Sequence, residues 1–354
     1  MFFAATLVVV PFLITLCQSL KPLSGNTKVG KLQLSPIGFG TWSWGNEFLW
    51  GYKEGEDEEL GRTFDYAVQA GVNWFDTADS YGTSGRSESL LGRFDKGQQR
   101  RRNKGALFAT KLAPFPWRVS GESMRKAAAA SLERLDRAQI DILQMHWRPY
   151  FLLPQLNDYL EREYLRAFSS LVEEGKATQL GVSNYGPRAL TRAAALARSL
   201  GSPICSNQVQ FSLLSRFPIE NGLDEVCAEL GIQPIGYSPL ALGLLTDRYS
   251  ISANNLPSGP RGILFREKLP KIAGLLDVLR DIARQRKKTV SQVVLNWNLN
   301  KGFLVLCGVR TVTQARENLG ALGWSLSAGE VAEIDNAARR VPGGQLIQNS
   351  FQTD

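Results

Sequence analysis

Eight short apolar runs, separated by stretches of helical periodicity, predict an α/β protein built as a single-domain (β/α)8 TIM barrel. Polar and titratable residues close several of those runs, as expected where the carboxyl ends of barrel strands form a site. The open doubly wound sheet competes for the same pattern, but it requires GxGxxG after an early strand. Gly38-Phe-Gly40 lacks the third glycine, and no such spacing occurs elsewhere.

The apolar runs lie at 36–40, 73–76, 107–111, 140–145, 178–182, 206–210, 233–237 and 303–306. Helical candidates between them include 56–70, 121–135, 159–174, 187–199, 221–230 and 271–285. Ahead of the first run, Lys28-Val-Gly-Lys-Leu-Gln-Leu reads as a small β-hairpin that could plug the barrel floor. No Gly-, Pro- or Ser-rich tract divides the 354 residues, and barrels of this kind commonly run to about 250 residues or more as one domain. The barrel is therefore expected over 28–342, followed by a short tail at 343–354.

Residues 1–20, MFFAATLVVVPFLITLCQSL, carry no charged side chain. Their apolar stretch is short for a membrane span and is interrupted by Pro11, so it reads as a cleavable hydrophobic leader with a cleavage site near 17–19. A retained membrane anchor is the alternative. Such a leader admits two destinations, a plastid reached through the endoplasmic reticulum or the secretory route.

Lysine and arginine number 41 against 33 acidic residues, a formal charge of +8. These charges are dispersed among acidic ones along helix-like segments. The one compact basic cluster, Arg100-Arg101-Arg102-Asn103-Lys104, reads as a solvated loop with no adjacent aromatic residue to stack a base. No nucleic-acid partner is expected, whereas a basic surface attracts an anionic cofactor. Cys17, Cys205, Cys227 and Cys307 are scattered without a CxxC pair, and His146 is the single histidine. That leaves too few ligands for a transition-metal site or a disulfide framework.

The ends of the apolar runs carry Asp76, Lys111, His146, Ser183, Asn184, Gln208 and Tyr237, with Tyr81 just past the second run. Singly, a strand-end aspartate often caps a turn, a strand-end lysine often reaches solvent, and a lone histidine is often a core residue. Together, an acid, an amine, a phenol and an imidazole converge at corresponding positions of runs two, three and four. Reduction of a carbonyl by a nicotinamide needs a proton at oxygen as hydride reaches carbon. In that chemistry Tyr81 donates, Lys111 lowers the phenol's pKa, Asp76 anchors Lys111, and His146 steers the carbonyl.

The segments GFGTW (38–42), FDTADSYG (75–82), ATK (109–111), LQMHW (143–147), GVSNYG (181–186), QVQFSLL (208–214), YSPLALGLLT (237–246) and GVRTVTQARENLGAL (308–322) resemble the aldo-keto reductase superfamily. The resemblance runs from about residue 28 to the end, with the motifs in family order. It implies the (β/α)8 fold, NADP(H) as cofactor and the roles of Asp76, Tyr81, Lys111 and His146 given above. It also implies that Ser183, Asn184 and Gln208 hold the nicotinamide carboxamide and that Tyr237 stacks on its ring. Ser238, Pro239, Leu240, Ala241 and Leu242 would form the pyrophosphate loop, with Arg248 and Arg261 in reach, and Thr41 and Trp42 would flank the cofactor. Arg310, after Gly308, suits the adenosine 2′-phosphate near a helix start, and Gln314, Glu317 and Asn318 would meet adenine and ribose. Where the family usually has proline, this chain has Cys307.

LWGY (49–52), PWR (116–118), YGPRAL (185–190), LPSGPRGILFR (256–266), LGALGW (319–324) and IQNSFQT (347–353) are similar to the plant plastid pyridoxal reductases. That subgroup implies reduction of pyridoxal to pyridoxine, a small-molecule aldehyde substrate. The alternatives are a broad aldehyde reductase for carbonyl detoxification and a non-catalytic cofactor sensor resembling potassium-channel β subunits. The latter lack the usual histidine on strand four, whereas His146 is present here. The oligomeric state is left open.

Overall fold

A barrel strand is covered on both faces, so its residues must be apolar nearly throughout. The computed structural model, which describes residues 25–102, 105–150 and 154–342, shows this along the expected runs. β1 (Thr27–Val29) and β2 (Leu32–Leu34) form an antiparallel hairpin. β3 (Ile37–Gly40), β4 (Trp74–Asp76), β5 (Leu107–Leu112), β6 (Ile140–Met145), β7 (Ala177–Ser183), β8 (Ile204–Gln210), β9 (Gln233–Tyr237) and β10 (Leu304–Gly308) are parallel and close into a barrel, β10 pairing back onto β3. The predicted leader 1–20 and tail 343–354 lie outside the described residues. No helix among the described residues is long and apolar enough to cross a membrane.

The hairpin plugs the floor. Val29 and Leu34 are buried in one cluster with Trp74, Ala109, Ile142, Ile235, Leu304 and Leu306 from the strands. Gly38 belongs to the same packing problem, because a methyl group there would lie 2.1 Å from the Trp74 indole. The indole takes the interior volume beside β3, and its Nε1 donates to the Ser35 carbonyl at 2.9 Å.

Several helices fall where periodicity placed them: Asp57–Gln69, Gly121–Leu135, Pro187–Ser199 and Leu223–Leu230. Pro154–Glu173 begins five residues earlier than expected, its proline at a first-turn position where no N–H is missed. Two departures have clear causes. The cluster expected in a loop at 100–104 continues the helix Arg86–Arg102, since glutamine and arginine are good helix formers; residues 103–104 lie outside the described set. The helix Val290–Asn300 was hidden because Val290, Ser291 and seven further residues are buried around its circumference, so apolar and polar residues do not sort into a core face and a solvent face.

Gly38→Ala should lower stability by at least about 2 kcal/mol through overpacking against Trp74, measured by chemical denaturation. Gly274→Ala, in the helix Ala273–Arg286 with open space around it, should raise stability by up to about 1 kcal/mol. Equal effects at the two positions would show that the Gly38–Trp74 contact does not limit the barrel.

Candidate active site

Strand side chains alternate, so residues two apart share a face. Trp74, Ala109 and Ile142 face the barrel interior. Two residues further along the same strands stand Asp76, Lys111 and Gln144, one layer above the apolar floor. The Lys111 ammonium donates to Asp76 Oδ1 and, at 2.7 Å, to the Thr77 carbonyl. Asp76 Oδ2 accepts from Gln208 Nε2 at 2.8 Å and from Gln144 Nε2 at 3.0 Å. Both charged side chains are only 1% exposed, a burial tolerable because the carboxylate and ammonium are matched and further hydrogen-bonded. Gln144 was not expected, although its position two before His146 on an alternating strand carried the signal.

Tyr81 sits on the loop after β4, half-buried at the wall of the cleft. Its ring centre is 4.8 Å from Lys111 Nζ, 5.7 Å from the His146 ring and 6.4 Å from the Trp42 indole. His146 continues beyond β6, its N–H donating to the Leu112 carbonyl at 3.1 Å, and its Nδ1 lies 3.5 Å from Ser80 Oγ. The structure thus brings Asp76, Tyr81, Lys111 and His146 into one corner.

The electrostatics correct one expectation. Lys111 was expected to lower the Tyr81 pKa, but the phenol is held well above its ordinary value, by burial first and then by the carboxylates of Asp76 and Asp79. The ammonium is committed to Asp76 and Thr77 and lies 4.8 Å from the centre of the Tyr81 ring. Burial also lowers the Lys111 pKa, against the pull of Asp76. His146 is pushed well below its ordinary value by burial and by the nearby Lys111 charge. The corner therefore carries a protonated phenol and a neutral imidazole at neutral pH.

From this corner a cleft of about 1650 Å³ runs across the barrel mouth. Trp42, Ser183, Asn184, Gln208, Tyr237, Ser238, Pro239, Leu240, Leu242, Arg248, Arg261, Gly308, Arg310, Gln314, Glu317 and Asn318 all line it. Thr41 and Ala241 do not. Thr41 is fully buried with its hydroxyl donating to the Asp76 carbonyl at 3.0 Å, and Ala241 is packed inside the turn, its N–H donating to Ser238. Chain alternation turns Trp42 toward the cleft and Thr41 away. Asn184, Ser238 and Leu242 have φ of 63°, 53° and 58°, left-handed conformations that non-glycine residues adopt at a cost. Ser183 Oγ donates to the Gln208 carbonyl at 2.8 Å, and the Tyr237 hydroxyl donates to Asn184 Oδ1 at 3.0 Å.

The far end of the cleft is cationic. Arg248, Arg261, Arg280, Arg284, Lys288 and Arg310 line it against Glu56, Glu59, Asp247 and Glu317. Arg280, Arg284, Lys288, Trp50 and Glu56 were not expected at the site, since only the tertiary fold brings them to the mouth. Arg310 donates to the Trp50 carbonyl at 2.7 Å and pairs with Glu56 at 2.5 Å. Arg261 lies 4.6 Å over the Trp50 ring with its buried Nε lacking a partner, and a side chain built at Gly308 would enter open space. An unsatisfied guanidinium N–H, a cationic lining and a bare backbone at Gly308 fit a long polyanionic dinucleotide.

The model of the Aldo/keto reductase family matches residues 36–339. The chain is 44% identical over 334 residues to the chloroplastic pyridoxal reductase of Arabidopsis thaliana, covering 92% of this chain and 89% of that one. Among solved structures, it is similar to an aldo/keto reductase from Klebsiella pneumoniae in complex with NADP and acetate (TM-score 0.68, 26% identity, 92% of this chain and 98% of the other). A thermostable aldo-keto reductase in complex with the inhibitor epalrestat superposes with TM-score 0.70 at 26% identity, over 88% of this chain and 99% of the other.

His146 is the single histidine, so its imidazole NMR signals are assigned without ambiguity. The ring should stay neutral in the folded protein at pH 6, below the ordinary histidine value of 6.5. The sign for stability follows: below pH 6.5 the unfolded chain takes up a proton that the folded chain refuses, so stability falls as pH falls. A titration midpoint at or above 6.5 would refute the assigned environment.

Proposed function

Because the chain belongs to the aldo/keto reductase family, we propose that it reduces pyridoxal to pyridoxine with NADPH, Tyr81 being the proton donor. The observation that carries this reading is the Tyr81–Lys111–Asp76–His146 corner at one end of a cleft whose other end is cationic. The cofactor, when bound, supplies the hydride that the carbonyl carbon receives. Everything else is the work of this chain's own side chains.

Tyr81 keeps its proton at neutral pH and delivers it to the carbonyl oxygen as negative charge develops there. Lys111, pinned by Asp76 and the Thr77 carbonyl and 4.8 Å from the ring centre, is a cation beside the phenolate so formed. His146, neutral and with Nδ1 facing Ser80, has Nε2 left to hydrogen-bond the same oxygen and fix its direction. Ser183, Asn184 and Gln208 present hydroxyl and amide groups that match a carboxamide, and the Tyr237 ring supplies a stacking face. Arg310, with Gln314 and Asn318 beside it, is the group suited to a 2′-phosphate.

Pyridoxal as substrate is supported by the similarity to the Arabidopsis enzyme, which spans 92% of this chain. The plastid address of that relative and the apolar leader at 1–20 support a plastid destination for this chain as well.

Tyr81→Phe should lower kcat by at least about 10²-fold while leaving the dissociation constant of NADPH within about twofold of wild type, read by fluorescence titration. Unchanged turnover would remove Tyr81 as the acid. Pyridoxal should exceed simple aliphatic aldehydes in kcat/KM, and equal values would replace pyridoxal reduction by broad aldehyde reduction.

A further inference from the structure

The loop after β5 is fastened to the Tyr81 loop in a way the reaction itself does not require. Arg118 pairs with Asp79 at 2.5 Å and donates to the Ala113 carbonyl at 2.7 Å, while its own carbonyl accepts from the Tyr164 hydroxyl. Asp79, two residues before Tyr81, is 2% exposed, and it is held between the Lys111 carbonyl and the Ala113 N–H. The guanidinium also covers the Phe115 ring at 5.0 Å. Phe115 stacks on Trp117 at 4.6 Å and 14°, meets Trp147 edge-on at 6.2 Å, and Trp147 in turn lies 4.6 Å from His146. A row of aromatic rings thus leads outward from the imidazole. Its outermost member, Trp117, is 71% exposed although large and apolar, which leaves one broad face free for a ligand.

We propose that Arg118 is a positioning residue that locks the Phe115–Trp117–Trp147 wall to the loop carrying Tyr81, so that the wall receives the flat ring of an aromatic aldehyde. The proposal rests on the aldehyde-reductase reading above and names its substrate class. The aldehyde carbon must reach the Tyr81–His146 corner while the ring lies against the wall. A wall free to move would bind the ring in orientations that do not present the carbonyl. Asp79 is the hinge point of this arrangement, because its carboxylate serves the β5 loop and its backbone precedes the acid.

The test compares pyridine-4-carbaldehyde, which keeps the ring without the substituents of pyridoxal, with propanal, which has no ring. In Arg118→Met, the ratio of their kcat/KM values should fall about five- to tenfold, chiefly through a higher KM for the ring aldehyde, and Arg118→Lys should recover part of it. Should Arg118→Met fail to fold because Asp79 is left buried without its cation, Asp79→Asn/Arg118→Met removes both charges and should show the same fall. Trp117→Ala, which alters an exposed side chain and spares the ion pair, should also lower the ratio. The dissociation constant of pyridine-4-methanol with NADP+ saturating, read by tryptophan quenching, should rise in the same variants and reports the wall without turnover. Ratios and dissociation constants within twofold of wild type in all the variants would overturn the proposal. A wild type that reduces neither probe nor pyridoxal would instead overturn the enzymatic reading, while the pyridine-4-methanol measurement would still decide the wall.

Discussion

The carboxylate of Asp76 is the constraint around which this molecule is organised. It receives the Lys111 ammonium on one oxygen and the amides of Gln144 and Gln208 on the other. Its backbone carbonyl accepts both the N–H and the hydroxyl of Thr41. One residue thereby ties β3, β4, β5, β6 and β8 together at the height where the apolar core ends. Removing one partner from so buried a pair typically costs about 3–5 kcal/mol, because a desolvated charge is left behind. Asp76 and Lys111 are therefore structural and chemical at once, and no substitution at either separates the two roles.

The same pair divides the corner into a charged layer and a neutral layer. Charges lie below, in Asp76 and Lys111; above them, Tyr81 is held protonated and His146 unprotonated. The two shifts have opposite signs but one principal cause, burial, which penalises phenolate and imidazolium alike. A raised phenol pKa makes Tyr81 a weaker acid in isolation. On the proposed mechanism it also keeps the proton in place at neutral pH until an alkoxide begins to form beside it. A donor so placed would favour the transition state over the free enzyme, which is what differential stabilisation requires.

The barrel and its central residues were legible because short apolar runs and strand-end polarity are local signals. Eight strands, the floor hairpin, and Asp76, Lys111 and His146 follow from them. Gln144 had a signal too, its place two residues before His146 on one strand, although the motif LQMHW gave it no role. Thr41 and Ala241 show the opposite failure: a family segment marks a stretch of chain, whereas the side-chain direction within it depends on local backbone geometry. The sign of the Tyr81 shift depended on how deeply the fold buries the phenol and how near it brings the carboxylates of Asp76 and Asp79, which only the three-dimensional structure fixes. Arg280, Arg284 and Lys288 lie along the C-terminal half of one helix and its following turn and have no motif of their own; the fold alone carries them to the cleft.

A gradient of solvent access links these parts. At the inner end of the cleft the ion pair is 1% exposed on both sides, whereas Arg310 and Glu56 at the outer end are 26% and 35% exposed. The outer pair is the more exposed of the two, and on the proposed reading an anion arriving at Arg310 would exchange with Glu56. The inner pair offers no such exchange. On the proposed function, the groups that take part in proton transfer are held by the buried contacts, and the arginine that would meet the charged ligand is held by the more exposed one. The Trp50–Glu56 segment, which Arg310 grips through both the Trp50 carbonyl and the Glu56 carboxylate, lies along the same wall and shares in that exchange.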